Sequence, residues 1–183
     1  AYLKKHPETI LSVSVTTRAP RKGEKEGFNY FFRDEDTFKK MLKEGAFLEY
    51  AKVYDNYYGT PRDFVKKNLM AGRDVILEID IQGALQVKEK FDEAVFIFIV
   101  PPSMEELKRR IVGRGTETAE SLLKRFKSSF EELNFITRYN YLVVNDMVEQ
   151  AVRKIEAIIT AEKCRVERNR DFYLSLQEGM KND

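Results

Sequence analysis

With 183 residues and 43% hydrophobic content, the chain is long enough to bury a full core as one domain with a small inserted subdomain. Its 32 Lys and Arg against 30 Asp and Glu leave a net charge of +2, which gives no chain-wide reason to expect nucleic acid as a partner, so any cationic work is local. One cysteine, Cys164, excludes an internal disulfide and reads as a buried, inert thiol, while the absence of a bilayer-length apolar run or a signal-peptide pattern makes a cytoplasmic protein without a membrane partner the expectation.

Residues 1–6, AYLKKH, read as the last turn of a helix stopped by Pro7, with Lys4 and Lys5 favourable at its carboxyl end and His6, the one histidine, at a helix end. The chain is expected to begin mid-helix, with an upstream element lost, or else to open on a short helical turn. Residues 12–17 read as a strand ending in Thr16 and Thr17, followed by a cationic loop with Arg18, Arg21 and Lys22. Arg forks present paired N–H donors that match phosphate oxygens, and the end of a strand is where open α/β sheets hold ligands. A solvated loop turning at Pro20 and Gly23 is the competing reading.

Residues 30–32 read as a short aromatic strand and 34–44 as a helix carrying Phe38, Met41 and Leu42, capped by Gly45. Residues 46–54 are expected as a half-buried strand, with Glu49 as its solvent-facing member. Asn56 and Gly59 are expected in a turn, and Thr60 as the cap of a helix starting at Pro61. The nearly continuous apolar run of 74–80 reads as a buried strand with Glu78 and Asp80 at its carboxyl end, Asp80 facing a ligand crevice or capping the helix that follows. Residues 94–100 read as another buried strand. Ser103 with Glu106 and Asp146 with Glu149 read as capping boxes, and 141–144 as the last strand. Strands alternating with helices predict a doubly wound parallel α/β sheet, with residues 31–58 as a small mixed α/β subdomain.

Taken singly, the polar residues have ordinary uses. Tyr30, Tyr57 and Tyr58 suit core aromatics with wet hydroxyls. Arg109, Arg110, Arg114 and Arg125 suit an exposed helix face, or a hinged lid at 113–115 of the kind that carries arginines over transferring phosphates.

Together, the segments SVSVTTRAPR, GEKEGFNYFF, FLEYAKVYDNYYGT, ILEIDIQG, FIVPPS, GRGTET and YLVVND resemble the guanylate kinase family in order and spacing over nearly the whole chain. The resemblance implies a fold of P-loop kinase type with a GMP-binding subdomain and a helical lid at about 110–125, and phosphoryl transfer from ATP to GMP with Mg²⁺. It implies that Arg18, Arg21, Tyr30 and Tyr58 hold the GMP phosphate, with Glu24 supporting the loop. Ser14, Glu49, Thr60 and Asp80 would hold guanine, Thr60 standing where the family commonly has Ser. Arg110, Arg114 and Arg125 match the lid and core arginines that close on ATP, so that Arg18, Arg110, Arg114 and Arg125 form the expected catalytic set, and Asn145 would lie near adenine.

One family feature is missing. No glycine here is followed by lysine, so the Gly-rich phosphate loop ending in Lys-Ser or Lys-Thr is absent from these residues. The expectations are a kinase domain whose first strand and loop are not in this chain, binding GMP but poorly active alone, or a non-catalytic guanylate-kinase-like module of a scaffold. Oligomeric state, a homo-oligomer included, is left open.

Overall fold

The structure, a computed structural model, describes residues 1–53, 55–113 and 119–179, without the side chains of 119–125 and 179. The chain folds as two compact units, Tyr2–Ala94 and Val95–Asp183.

In the first unit, α1 (Tyr2–Lys5) is a short turn before Pro7, with the Tyr2 and His6 rings stacked at 4.4 Å. The β-branched run expected as one strand is two. β1 (Ile10–Leu11) pairs in parallel with β6 (Val75–Ile76), whereas β2 (Val15–Thr16) joins a different sheet. The backbone shows where the change occurs: Ser12 N–H still donates to Ile76, at 3.0 Å, while the Ser14 carbonyl already accepts from Phe31, at 2.9 Å.

That second sheet has the order β3 (Phe31–Phe32), β2, β5 (Asn56–Pro61), β4 (Phe47–Val53). β2 runs parallel to β3 and antiparallel to β5. Helix α2 (Glu35–Lys43) starts on Asp34, which accepts from the Thr37 N–H at 2.7 Å, and ends at Gly45, whose φ of +66° suits a residue without Cβ. It delivers Phe38, 0% exposed, into a core with Val15 and Phe47; the Phe38 ring stacks on Phe47 at 4.5 Å and on Tyr57 at 5.3 Å. Burying such a ring contributes about 1.5–3 kcal/mol, enough to fix the helix on the sheet.

Three expectations fail at this sheet. Asn56 and Gly59 lie in β5, not in a turn: Asn56 already pairs with Val53 of β4, and Gly59 with Tyr50. A register shift between Phe47 and Glu49 breaks the strand's alternation, so Phe47, Leu48 and Glu49 are all buried and Glu49 is not solvent-facing. Helix α3 (Arg62–Met70) has Pro61 at its N-cap with no side-chain bond; Thr60, expected to cap it, points elsewhere. Helix α4 (Ile81–Lys90) is capped by Asp80, which accepts from the Gly83 N–H at 2.9 Å.

In the second unit, β7 (Ile97–Val100) and β8 (Tyr141–Val144) pair in parallel from Ile97↔Tyr141 to Val100↔Val144. Helices α5 (Met104–Val112) and α6 (Ala119–Glu132) pack together, α7 (Val148–Lys163) packs on β8, and α8 (Arg170–Gly179) follows. Ser103 caps α5 by accepting from Glu106 N–H at 3.1 Å, but Glu106 does not reach back, being taken by arginines. The expected Asp146–Glu149 box does not form: Met147 is the N-cap of α7 and makes no side-chain bond. Cys164 caps the other end of α7 and is exposed, contrary to the buried thiol expected. Parallel strand pairs with helices and one mixed sheet make this a mixed α/β fold, as the alternation of elements predicts.

Candidate functional site

Because β2 and β3 are parallel, the chain between them must double back, and the loop of residues 17–30 does so. Two threonines pin its start. Thr16, fully buried, donates its hydroxyl to the Tyr57 carbonyl at 3.0 Å and accepts from the Arg18 N–H at 3.2 Å. The Thr17 hydroxyl accepts from the Tyr57 N–H at 2.9 Å. The Arg18 side chain, 14% exposed, therefore leaves the sheet in a set direction.

Its guanidinium donates to Glu24 at 2.8 Å and to the Ala19 carbonyl at 2.7 Å, and lies 5.5 Å from the centre of the Tyr30 ring. The other Glu24 oxygen accepts from the Arg21 N–H at 2.7 Å, so one carboxylate ties the loop to its arginine. The bond from Arg18, then that from Arg21, lowers the pKa of Glu24, and Glu24 in turn raises that of Arg18. The Tyr30 and Tyr58 rings meet edge-on at 5.9 Å; burial, then Tyr58 and Glu78, raise the Tyr30 pKa. Arg18, Glu24, Tyr30 and Tyr58 are thus brought together, while the Arg21 side chain stands exposed on the same loop.

Glu49 and Thr60 face each other across β4 and β5, and the Thr60 hydroxyl donates to Glu49 at 2.5 Å. Glu49 is 4% exposed, and burial, reinforced by the charge of Asp80, raises its pKa despite the Thr60 bond. A Cβ added at Gly83 would lie 2.3 Å from the Glu49 carboxylate and 3.4 Å from Asp80, so the two carboxylates converge on the backbone of that glycine. Sequence reading passed over Gly83, although a glycine in the first turn of a helix, where it costs stability, is a signal of close approach. It also passed over Thr17, whose role depends on strand pairing.

Tyr58 and Thr60 are two residues apart on β5 and so point to one face, about 7 Å apart along the strand. The arginine–tyrosine cluster and the carboxylate pair therefore occupy the same side of the mixed sheet. Ser14 sits between β1 and β2, where the chain changes sheets.

In the second unit, Glu106 accepts from Arg109 at 2.6 and 2.7 Å and from Arg110 at 2.6 Å; these bonds lower its pKa to about 2. Asn145 donates its N–H to Val100 at 2.7 Å, which places it at the carboxyl end of the parallel pair, where α/β sheets hold ligands. Arg114 lies outside the described residues, and Arg125 lies in α6 with its side chain outside them.

A mixed α/β protein with this arrangement has the chemistry to hold an anion at one end and a donor-bearing ring at the other. The family model of guanylate kinase matches residues 1–162. A guanylate kinase of Caldanaerobacter subterraneus subsp. tengcongensis is 64% identical over 97% of this chain and 86% of that protein. One of Clostridium perfringens strain SM101 is 59% identical over 97% and 82%. The crystal structure of guanylate kinase from Anaplasma phagocytophilum superposes with a TM-score of 0.79 at 39% identity, covering 90% of this chain and 81% of that one. The chain belongs to the guanylate kinase family.

Proposed function

We propose that the chain carries the acceptor site for transfer of a phosphoryl group from ATP to GMP, yielding ADP and GDP. The carrying observation is the buried Glu49 carboxylate, held by Thr60 and converging with Asp80. Guanine presents N1–H and N2–H donors that a carboxylate accepts together, whereas adenine offers an acceptor at N1 and would give the carboxylates no donor at that edge.

Arg18, Arg21, Tyr30 and Tyr58 hold the GMP phosphate on the same sheet face, Glu24 shapes their loop, and Ser14 adds a hydroxyl on the guanine side. No histidine is needed, because a nucleotide phosphate is mostly dianionic near pH 7 and attacks without a general base. What remains is positioning and charge neutralisation of an in-line transfer, by Arg18 and by Arg110, Arg114 and Arg125 of the lid segment, with Asn145 at adenine.

Magnesium enters as part of the substrate, bound to ATP, as phosphoryl transfer commonly requires. Among the described residues no helix is long and apolar enough to cross a membrane. We place the reaction in the cytoplasm, where its nucleotide substrates are held. With no glycine followed by lysine, the chain by itself binds GMP and forms GDP slowly. Calorimetry with GMP beside an assay of GDP formed from ATP tests this reading. GMP binding with slow GDP formation is expected, and failure to bind GMP would overturn it.

A further inference from the structure

Strand β4 is the edge of its sheet, and an edge strand leaves every second backbone N–H and C=O without a partner. Here three of those groups, both of Tyr50 and the carbonyl of Leu48, are taken by α4. The Gln86 side chain donates to the Tyr50 carbonyl at 2.6 Å and accepts from the Tyr50 N–H at 3.3 Å, so one amide imitates a neighbouring strand. One turn further on, Lys90 donates to the Leu48 carbonyl at 3.1 Å. Leu48 and Tyr50 flank Glu49, at the point where the register shift turns Glu49 inward. The same helix carries Asp80 at its N-cap and Gly83 against the Glu49 carboxylate.

From this geometry we infer that Gln86 is a positioning residue for base selection: by stapling α4 to the edge of β4, it sets the spacing of Glu49 and Asp80 that reads guanine. The inference rests on the GMP reading above and assigns it a residue that touches neither the base nor the phosphate. A ring donor pair is gripped only if both carboxylates keep their places. Sliding of α4 along β4 moves Asp80 and Gly83 relative to Glu49 and leaves the arginine loop, held by Thr16, Thr17 and Glu24, as it is. Selectivity for the base should therefore fall while the phosphate grip persists.

IMP makes the distinction measurable. Its base has the N1–H of guanine but lacks the N2 amine, so the ratio of GMP to IMP affinity reports the base pocket alone, and general loosening of the fold would weaken both nucleotides together. The experiment is calorimetry of GMP and IMP on the unaltered chain, Glu49→Gln, Gln86→Ala and Gln86→Met, with a thermal melt of each. Methionine keeps the length and volume of glutamine without its bonds. Gln86→Ala and Gln86→Met are both expected to lower the GMP-to-IMP ratio by about fivefold or more, in the direction of Glu49→Gln, for the loss of two hydrogen bonds. Retention of the unaltered ratio by Gln86→Met would overturn the inference, reducing Gln86 to packing. Failure of the unaltered chain to bind GMP would overturn the site reading itself, and the inference with it.

Discussion

The environment of Glu49, the residue proposed to read guanine, opposes its charge. Burial and then the charge of Asp80 raise its pKa above the usual 4.5, so it takes up a proton more readily than an exposed glutamate does. The consequence for stability has a definite sign: Glu49's contribution is fully present at acid pH and is lost as pH rises through its raised value. GMP binding runs the other way, since the ring donors need the ionised carboxylate. GMP affinity is therefore expected to fall on acidification, with a midpoint above the usual glutamate value; the nucleotide phosphate also takes a proton near about pH 6, and Glu49→Gln isolates that part. A titration in which both proteins show the same pH dependence would rule Glu49 out. Gly83→Ala is a second probe of the same spot. Alanine favours a helix interior by about 1 kcal/mol over glycine, yet its Cβ would press on the Glu49 carboxylate. We expect GMP affinity to drop roughly tenfold, consistent with a displaced polar pair, while the melting temperature changes little. Unaltered affinity in that variant would mean the carboxylate has room to move.

At the scale of elements, the loop of residues 17–30 is held at its start by the bonds of Thr16 and Thr17 to Tyr57 of β5, and internally by Glu24, which accepts from Arg18 and Arg21. Glu24→Ala should cost GMP about ten- to 150-fold in affinity, the range for loss of a charge-assisted bond, without altering the GMP-to-IMP ratio. A change in that ratio would mean that the loop and the base pocket are not separable. Phe38→Ala removes the ring that joins α2 to the mixed sheet and is expected to destabilise the protein by about 3–5 kcal/mol in chemical denaturation. Much of this layer was legible in sequence: the helix from Asp34 to Gly45, the cap at Asp80 and the strand 141–144 all follow from local capping and patterning. What was not legible depends on pairing between distant segments. The split of β1 from β2, the register shift that buries Glu49, and the turn of Thr60 from helix cap to carboxylate partner are set by which strand lies alongside, and local composition does not encode that. The alternation rule made Glu49 an outward residue because it had no access to the shift.

At the scale of the whole molecule, the residues proposed for the acceptor all lie in the first unit: Arg18 and Arg21 on the loop after β2, Tyr30 and Tyr58 beside it, Glu49 in β4 and Asp80 at the N-cap of α4. The residues assigned to ATP lie in the second unit, where Arg110 is engaged by Glu106 and Asn145 closes the parallel pair. Binding of GMP can therefore be measured apart from turnover. The most direct measurement is calorimetric titration of GMP and of AMP into the chain near neutral pH, repeated on Glu49→Gln. GMP is expected to bind about 100-fold or more tightly than AMP, because the buried Glu49 and the half-buried Asp80 would receive no donor from adenine, and the substitution should erase most of that preference. Equal affinities for the two nucleotides, or a preference that survives Glu49→Gln, would contradict the assignment of this pocket to guanine.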